Sequence, residues 1–303
     1  MKFRLRFLAL VIIAFLLSAG YLYRHKLYNY FKDFKNKGRL LFYDNGWKSI
    51  PDKYYSLKDF NGQKPFLMNS LITVKKGRYF KIRLLKLRRE GGLAPFRVYL
   101  FSFDPQYFDF KVHVNTKRNF IKKFFYNDML FGVNASFFDA RGRIIGLVVS
   151  NGRRITGAES KKRAYFMVLR NRKQPVIFSS NLEKTRLKIV QEAVRGYPLI
   201  MNNGIVHPGV FNNTKRNSRI SRRTVVGKLL NGNICFLLTD TIIAGLSLKE
   251  LPIVLGGLGS RDALNLDGGG STQALFSHKG FNIEINGKEK IPVVIGVYPK
   301  KDI

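Results

Sequence analysis

The sequence predicts an α+β domain, a mixed and largely antiparallel β-sheet with packed helices, preceded by one N-terminal transmembrane helix. Three observations predict it. Short apolar stretches dominate, and two pairs of them flank the dipeptides Asn151-Gly152 and Asn231-Gly232, which favour tight hairpins. A few segments instead space their apolar residues at the helical period. An uncharged apolar run from Phe7 to Tyr23 lies between Lys2, Arg4 and Arg6 on one side and Arg24 and Lys26 on the other.

The apolar run is about long enough to span a bilayer, at the short end of the usual ~17–25 residues. Its leading charges favour a cytoplasmic N-terminus, although Arg24 and Lys26 oppose that bias. A cleaved signal peptide is the competing reading, with Ser18-Ala19-Gly20 supplying small residues. Both readings place the body of the protein outside the cytoplasm. Residues 1–26 are accordingly the anchor or signal segment. The aromatic and basic residues 27–60 form a juxtamembrane stalk, and residues 61–303 form the catalytic domain.

Along that domain, Lys81 to Arg89 alternates basic and apolar residues, a strand with one basic face. The break at Leu84-Leu85 predicts a bulge or a slip. Arg97 to Phe103 is a second strand. Thr116 to Leu130 reads as a helix, because Phe120, Ile121 and Phe124 share a face and Asn115 can cap it. Phe131 to Phe138 is a strand entering a turn, and Ile144 to Ser150 a strand leading into Asn151-Gly152. Leu182 to Val194 reads as an amphipathic helix. Thr224 to Leu230 and Ile234 to Thr239 flank the second hairpin turn. Ser247-Leu-Lys-Glu250 matches a capping box for a helix over about 248 to 258, with Pro252 tolerated in its first turn. Ala263 to Asp267, Gln273 to Phe276 and Pro292 to Tyr298 complete the sheet. No fixed-period repeat occurs.

The composition narrows the chemistry. The 303 residues include 54 Lys plus Arg against 19 Asp plus Glu, a formal charge of +35, which favours polyanionic partners. No nucleic-acid-binding module is present, so no specific nucleic acid is expected. One cysteine, Cys235, excludes an intramolecular disulfide and reads as a buried strand thiol. The four histidines form no ligand-spaced pair. Asp104, Asp139 and Asp240 are candidate metal ligands, but no calcium loop is present. The metal ligands stay unknown, no cofactor is certain, and a divalent cation is left open.

The most informative segment is Ala263-Leu-Asn-Leu-Asp267-Gly-Gly-Gly-Ser271-Thr272. Three glycines after a strand sacrifice packing and backbone entropy. Their use is to let backbone amides approach a ligand, as oriented N–H groups do around phosphate. Asn265 and Asp267 point to one side by the strand period. A second segment, Asn134-Ala-Ser136-Phe-Phe-Asp139, offers hydrogen-bonding groups at a strand end. In Arg219-Ile-Ser-Arg222-Arg223-Thr224, arginine could grip phosphate through its bidentate fork. Gly196-Tyr-Pro-Leu-Ile-Met-Asn202-Asn203-Gly204 adds amides near a turn.

In this order the segments resemble the phosphodiester glycosidase family over roughly residues 130 to 300. The matching elements are Asn134-Ala-Ser-Phe-Phe138, Gly146 to Gly152, Gly196-Tyr-Pro198 with Asn203-Gly204, Arg223-Thr-Val-Val-Gly227, Gly245 to Leu251, and Asn265 to Ser271. The resemblance implies hydrolysis of a sugar-1-phosphodiester at the glycosyl C–O bond, in an envelope or extracellular phosphoglycan. A phosphate leaving group departs as a weakly basic anion, so the reaction depends more on charge neutralisation and a carboxylate than on strong acid help. On this reading Asp267, Arg223 and Asn134 are catalytic. Ser136, Asn203, Gly204, Thr224, Asn265, Gly268, Gly269, Gly270 and Ser271 bind substrate, and whether Asp267 is a base or a nucleophile stays open. The implied partners are a phosphate-containing glycan and a membrane, the latter through the N-terminal segment. Two family glycines are replaced by Ala135 and Ser136, and the glycine after Asp240 by Thr241. The alternative function is therefore a non-catalytic binder of anionic, phosphate-containing glycans.

Overall fold

The computed structural model describes residues 38–51, 65–92, 94–126, 128–156, 164–170, 174–179, 188–210, 215–241 and 244–301. In chain order its strands are β1 (Leu40–Tyr43), β2 (Trp47–Ser49), β3 (Ile72–Lys76), β4 (Phe80–Arg89), β5 (Phe96–Phe103), β6 (Phe108–Asn119) and β7 (Phe131–Asn134). They continue with β8 (Val148–Ser150), β9 (Arg153–Thr156), β10 (Ala164–Leu169), β11 (Val176–Ser179), β12 (Val190–Gly196), β13 (Leu199–Asn202) and β14 (Ile205–Val206). The last six are β15 (Thr224–Leu229), β16 (Ile234–Asp240), β17 (Ser260–Asn265), β18 (Ala274–His278), β19 (Phe281–Ile285) and β20 (Ile291–Pro299). Two short α-helices accompany them, α1 (Lys215–Ser218) and α2 (Leu251–Gly257).

Every strand pairing is antiparallel. A ten-stranded sheet has the order β14-β13-β17-β15-β16-β5-β4-β1-β2, with β3 also on β4. Two five-stranded sheets have the orders β11-β10-β12-β8-β9 and β19-β18-β7-β20-β6. The protein is therefore almost wholly β, which corrects the α+β class with packed helices. The expected transmembrane helix has no counterpart either: no helix among the described residues is long and apolar enough to cross a membrane. The run Phe7 to Tyr23 lies outside those residues, as does most of the segment read as a stalk. Within that segment, Leu40–Tyr43 and Trp47–Ser49 pair as β1 and β2, joining the large sheet against β4.

The missing helices have physical explanations. Where a helix was expected over Thr116 to Leu130, β6 runs on to Asn119 against β20, and a single 3-10 turn covers Ile121–Phe124. Ile121 and Phe124 do share a buried face, packed on Ile291 and Val294, so the helical spacing was real but one turn long. Of the helix expected over Leu182 to Val194, residues 182 to 187 lie outside the described residues, and those from Val190 onward form β12. Its neighbours bury both faces, Ala193 in one cluster and Val194 in another, which erases the two-residue alternation that marks a half-exposed strand. Strand β4 shows the same effect. Phe80 and Ile82 belong to the core between the large sheet and the two smaller ones, whereas Leu85 and Leu87 belong to the core beneath α2. The apolar pattern changes face at Leu84-Leu85 with no bulge, and the register against β5 is continuous from Phe80 to Leu87.

The hairpins and the cysteine fall where expected. Asn151 and Gly152 have φ of 49° and 72°, left-handed values that suit a primed turn. Cys235 is buried in β16 and free. The capping box is half realised. The Glu250 carboxylate accepts from the Ser247 amide at 2.7 Å, and it also clasps the buried Arg89 guanidinium through both oxygens, at 2.6 and 2.9 Å. Removing one partner of a buried pair leaves an uncompensated charge, at about 3–5 kcal/mol. Glu250→Ala is expected to lose stability of that order, read as a lower urea midpoint. A midpoint matching the unsubstituted chain would remove the pair from the account of how α2 is held.

Candidate active site

The side chain of Asn134 joins two sheets. It ends β7, is fully buried, and donates through Nδ2 to the Asp267 carbonyl at 2.7 Å. Its Oδ1 accepts from the Thr224 hydroxyl at 2.9 Å and the Gln273 amide at 3.1 Å. The Asp267 amide in turn donates to the Ala135 carbonyl at 3.0 Å. The start of β15, the turn after β17 and the start of β18 are thereby pinned to one side chain.

Each glycine of that turn has its own steric reason. A Cβ on Gly268 would meet the Arg222 carbonyl oxygen at 2.7 Å, Gly269 has φ of +64°, and a Cβ on Gly270 would meet Glu289 Oε1 at 2.5 Å. Two of the three amides are committed within the protein. The Gly268 amide donates to Asp267 Oδ1 at 3.0 Å, and the Gly269 amide to the Arg222 carbonyl at 2.9 Å. The loop after β19 closes on the same turn, since the Lys288 and Glu289 amides both donate to the Gly270 carbonyl.

This closure creates a carboxylate pair. Burial pushes the Asp267 carboxyl up to about 6, against the hydrogen bonds of Ser271 and Gly268, and the charge of Glu289 adds to the rise. Ser271 Oγ, hydrogen-bonded to Asp267, lies 3.3 Å from Glu289 Oε2. A hydroxyl has one proton to donate. Ser271 can satisfy both carboxyls fully only when one of them is protonated, which the raised value at Asp267 favours. Beside Glu289 opens a cleft of about 420 Å³ lined by Arg118, Phe138, Asp139, Ala140, Glu289 and Lys290. That volume lies within the usual range for small-molecule sites.

The sequence-predicted residues divide into two groups. The structure brings together Asn134, Thr224, Asp267, Gly268, Gly269, Gly270 and Ser271, with Ser136 next to Ala135. The Ser136 hydroxyl is buried and makes no hydrogen bond. Asn265 Nδ2 donates to the Tyr197 carbonyl at 2.7 Å, and its Oδ1 is unpaired. Asn203 and Gly204 sit elsewhere, in the β13–β14 turn. There the Asn203 amide binds Asp262 and its side chain binds Arg261, five residues back along the β17 segment from Asp267, about 17 Å. Arg223 donates to the Leu246 and Arg219 carbonyls at 2.8 and 2.6 Å, turned towards α2; burial pushes its guanidinium down to about 10.

Arg222, not selected from the sequence, lies at the turn. It donates to the Asn286 carbonyl at 2.8 Å and its Nε is unpaired. The signal for it was parity: Arg222 and Thr224 are two apart on an extended segment and so share a face. Glu289 was also missed, because nothing local marks an acid in Asn286-Gly-Lys-Glu289 as belonging beside Gly270. Asp139 is bound to Arg143 at 2.7 Å and Asp240 to Arg97 at 2.6 Å. Among the described residues no three His, Cys, Asp or Glu side chains are grouped to hold a metal ion.

A carboxyl raised by burial and linked through Ser271 to a second acid thus stands beside a cleft lined by the cations Arg118 and Lys290. Residues 127–298 match the phosphodiester glycosidase family, and the chain belongs to that family. The fold resembles the catalytic domain of zebrafish N-acetylglucosamine-1-phosphodiester alpha-N-acetylglucosaminidase, auto-inhibited by pro-peptide. The TM-score is 0.58 at 16% identity, covering 76% of this chain and 88% of that one. It also resembles a hypothetical protein from Synechocystis, with a TM-score of 0.53 at 14% identity over 76% of this chain and 64% of that one. No curated protein matches the chain.

The raised Asp267 carboxyl carries a stability consequence. Its folded value, about 6, lies above the ordinary 3.8, so its stabilising contribution is full below about 3.8 and is lost as pH rises through about 6. Asp267→Asn is therefore expected to match the unsubstituted chain in melting temperature near pH 4 and to equal or exceed it at pH 8. A substantially lower melting temperature at pH 8 would mean that the ionised carboxylate stabilises the fold.

Proposed function

We propose that the protein hydrolyses a sugar-1-phosphodiester at the glycosyl C–O bond, within a phosphoglycan of the envelope or extracellular space. The observation that carries this reading is the Asp267 carboxyl, pushed up to about 6 and linked through Ser271 to Glu289 at the edge of the cleft. Family membership supports phosphodiester glycosidase chemistry in general. The choice of residues and of substrate class is ours.

In this proposal the ionised Asp267 faces the anomeric carbon as positive charge develops there, and water supplies the oxygen that ends on the sugar. The electrons of the breaking C–O bond go to the phosphate oxygen, and the products are a free sugar and a phosphomonoester. Arg118 and Lys290, which line the cleft, and Arg222 at the turn are the cations we assign to neutralise the departing phosphate. The Phe138 ring lines the cleft as an apolar surface for a sugar face. The extracytoplasmic setting is supported by the basic-apolar-basic pattern of the N-terminus.

Because Asp267 acts ionised, activity is expected to fall about tenfold per pH unit below about 6 and to level off above it. Glu289→Gln removes the neighbouring charge and should move that acidic limb to lower pH. Asp267→Asn should abolish turnover while the chain stays folded. In isotopically labelled water the label should appear on the released sugar. Label on phosphate would instead show a phosphodiesterase, and an acidic limb unmoved in Glu289→Gln would separate the two carboxyls. No release of sugar from any of a panel of sugar-1-phosphodiesters would favour a glycan binder without turnover.

A further inference from the structure

A second cavity lies at the other end of the large sheet. It measures about 570 Å³ and is lined by Arg83, Lys81, Arg78 and Lys76, with Met68 and the β15–β16 turn residue Asn231 among its walls. Its position next to Gly259 places it eight residues along the β17 segment from Asp267, about 25 Å away. Four cations line it against one acid, Asp104, whose Oδ1 already accepts the Gln106 amide at 2.9 Å.

Arg83 is the unusual member. It is 8% exposed, its Nε has no hydrogen-bond partner, and Nη1 reaches only the Met68 thioether sulfur at 3.5 Å. Thioether sulfur is a weak acceptor. No ion pair reaches Arg83 among the described residues. Arg89 gives the contrast on the same strand. It is 3% exposed, lies six residues on and hence on the same face, and is held by both oxygens of Glu250. A buried guanidinium without a counter-charge is expensive, and buried charges in folded proteins are paired. In Arg83 the pairing is left to whatever enters the cavity. Burial also lowers its affinity for its proton, with no carboxylate to restore it.

We propose that this cavity is an anion-binding site centred on the Arg83 guanidinium, with Lys81, Arg78 and Lys76 at its walls, and that it takes a phosphate group. Arginine matches phosphate with a planar fork of donors. The side-chain amides of Asn231 and Asn233, which also line the cavity, suit a hydroxylated body attached to that phosphate. The site does not depend on the glycosidase reading, since it shares no residue with the cleft beside Asp267.

The test combines location with affinity. Crystals of the protein soaked in selenate should show an anomalous peak within hydrogen-bond reach of the Arg83 guanidinium. Titration with inorganic phosphate, followed by calorimetry, should show a binding step that is about tenfold or more weaker in Arg83→Met, the scale of one charge-assisted hydrogen-bond pair. The same step should be weakened to a smaller degree in Lys81→Met. If Arg83→Met fails to fold, Lys81→Met combined with Arg78→Ser at the cavity wall decides the matter. Absence of the selenate peak, or phosphate affinity unchanged in the folded variants, overturns the proposal.

Discussion

The architecture of the site depends on one buried amide. Asn134 stands where a strand of a five-stranded sheet meets the end of two strands of the large one, and its side chain bonds to Asp267, Thr224 and Gln273 at once. An amide can do this because it offers an acceptor with two lone pairs and a donor in one rigid plane. An aspartate there would lose the donor needed by the Asp267 carbonyl. An apolar residue would strand the Thr224 hydroxyl and the Gln273 amide without water, and unmet buried groups of that kind cost about 1–3 kcal/mol each. Asn134 thus fixes the backbone of Asp267, whose carboxyl is buried and takes hydrogen bonds from Gly268 and Ser271.

From that fixed point the glycine turn follows. Once Asp267 is tied to β7 through both its amide and its carbonyl, the chain must pass between the Arg222 carbonyl and the loop bearing Glu289. A Cβ at 268 would strike the Arg222 carbonyl and one at 270 would displace the Glu289 side chain, and Gly269 supplies the left-handed conformation between them. Tight passage is what brings Glu289 onto Ser271 and raises Asp267. The glycines therefore shape the electrostatics of the site by letting a second loop close on the turn. Two of their amides are consumed in building it and are already bonded within the protein.

The sequence revealed those parts of the fold that are local. Asn151-Gly152 and the Asn231-Gly232 turn marked hairpins because a left-handed backbone at a turn leaves a residue signature. The Asn265-to-Ser271 segment marked the site because three adjacent glycines have few other uses. Patterns shaped by distant neighbours were misread. The five-stranded sheet that holds β12 is buried on both faces there, so β12 lost its alternation, and a helix could be read into Leu182 to Val194. Ile121 and Phe124 have the contacts of a helix face within one 3-10 turn, and spacing alone cannot count turns. The choice between Arg222 and Arg223 could have been made from parity with Thr224. Glu289 could not, because its place beside Gly270 is set by a loop packed across the sheets.

A charge of +35 leaves far more cations than acids to pair them, and the buried arginines show how the fold responds. Arg89 takes a carboxylate, Glu250. Arg223 takes two carbonyls, whose partial charges satisfy its donors without neutralising it. Arg222 takes one carbonyl and keeps Nε unpaired, and Arg83 has only a thioether. The order runs from an arginine with a counter-charge inside the protein to one with none among the described residues. The ion-paired Arg89 holds the loop before α2, although its Nε, like that of Arg83, has no hydrogen-bond partner. Arg222 lies at the turn that bears Asp267, and Arg83 lines the cavity at the opposite end of the same strands. In a chain this basic, exposed lysines say little about where anions bind, because solvent already screens them. The buried guanidinium that the fold does not satisfy is the more specific signal, because a ligand that supplies its missing partner recovers an interaction energy that surface charges cannot offer.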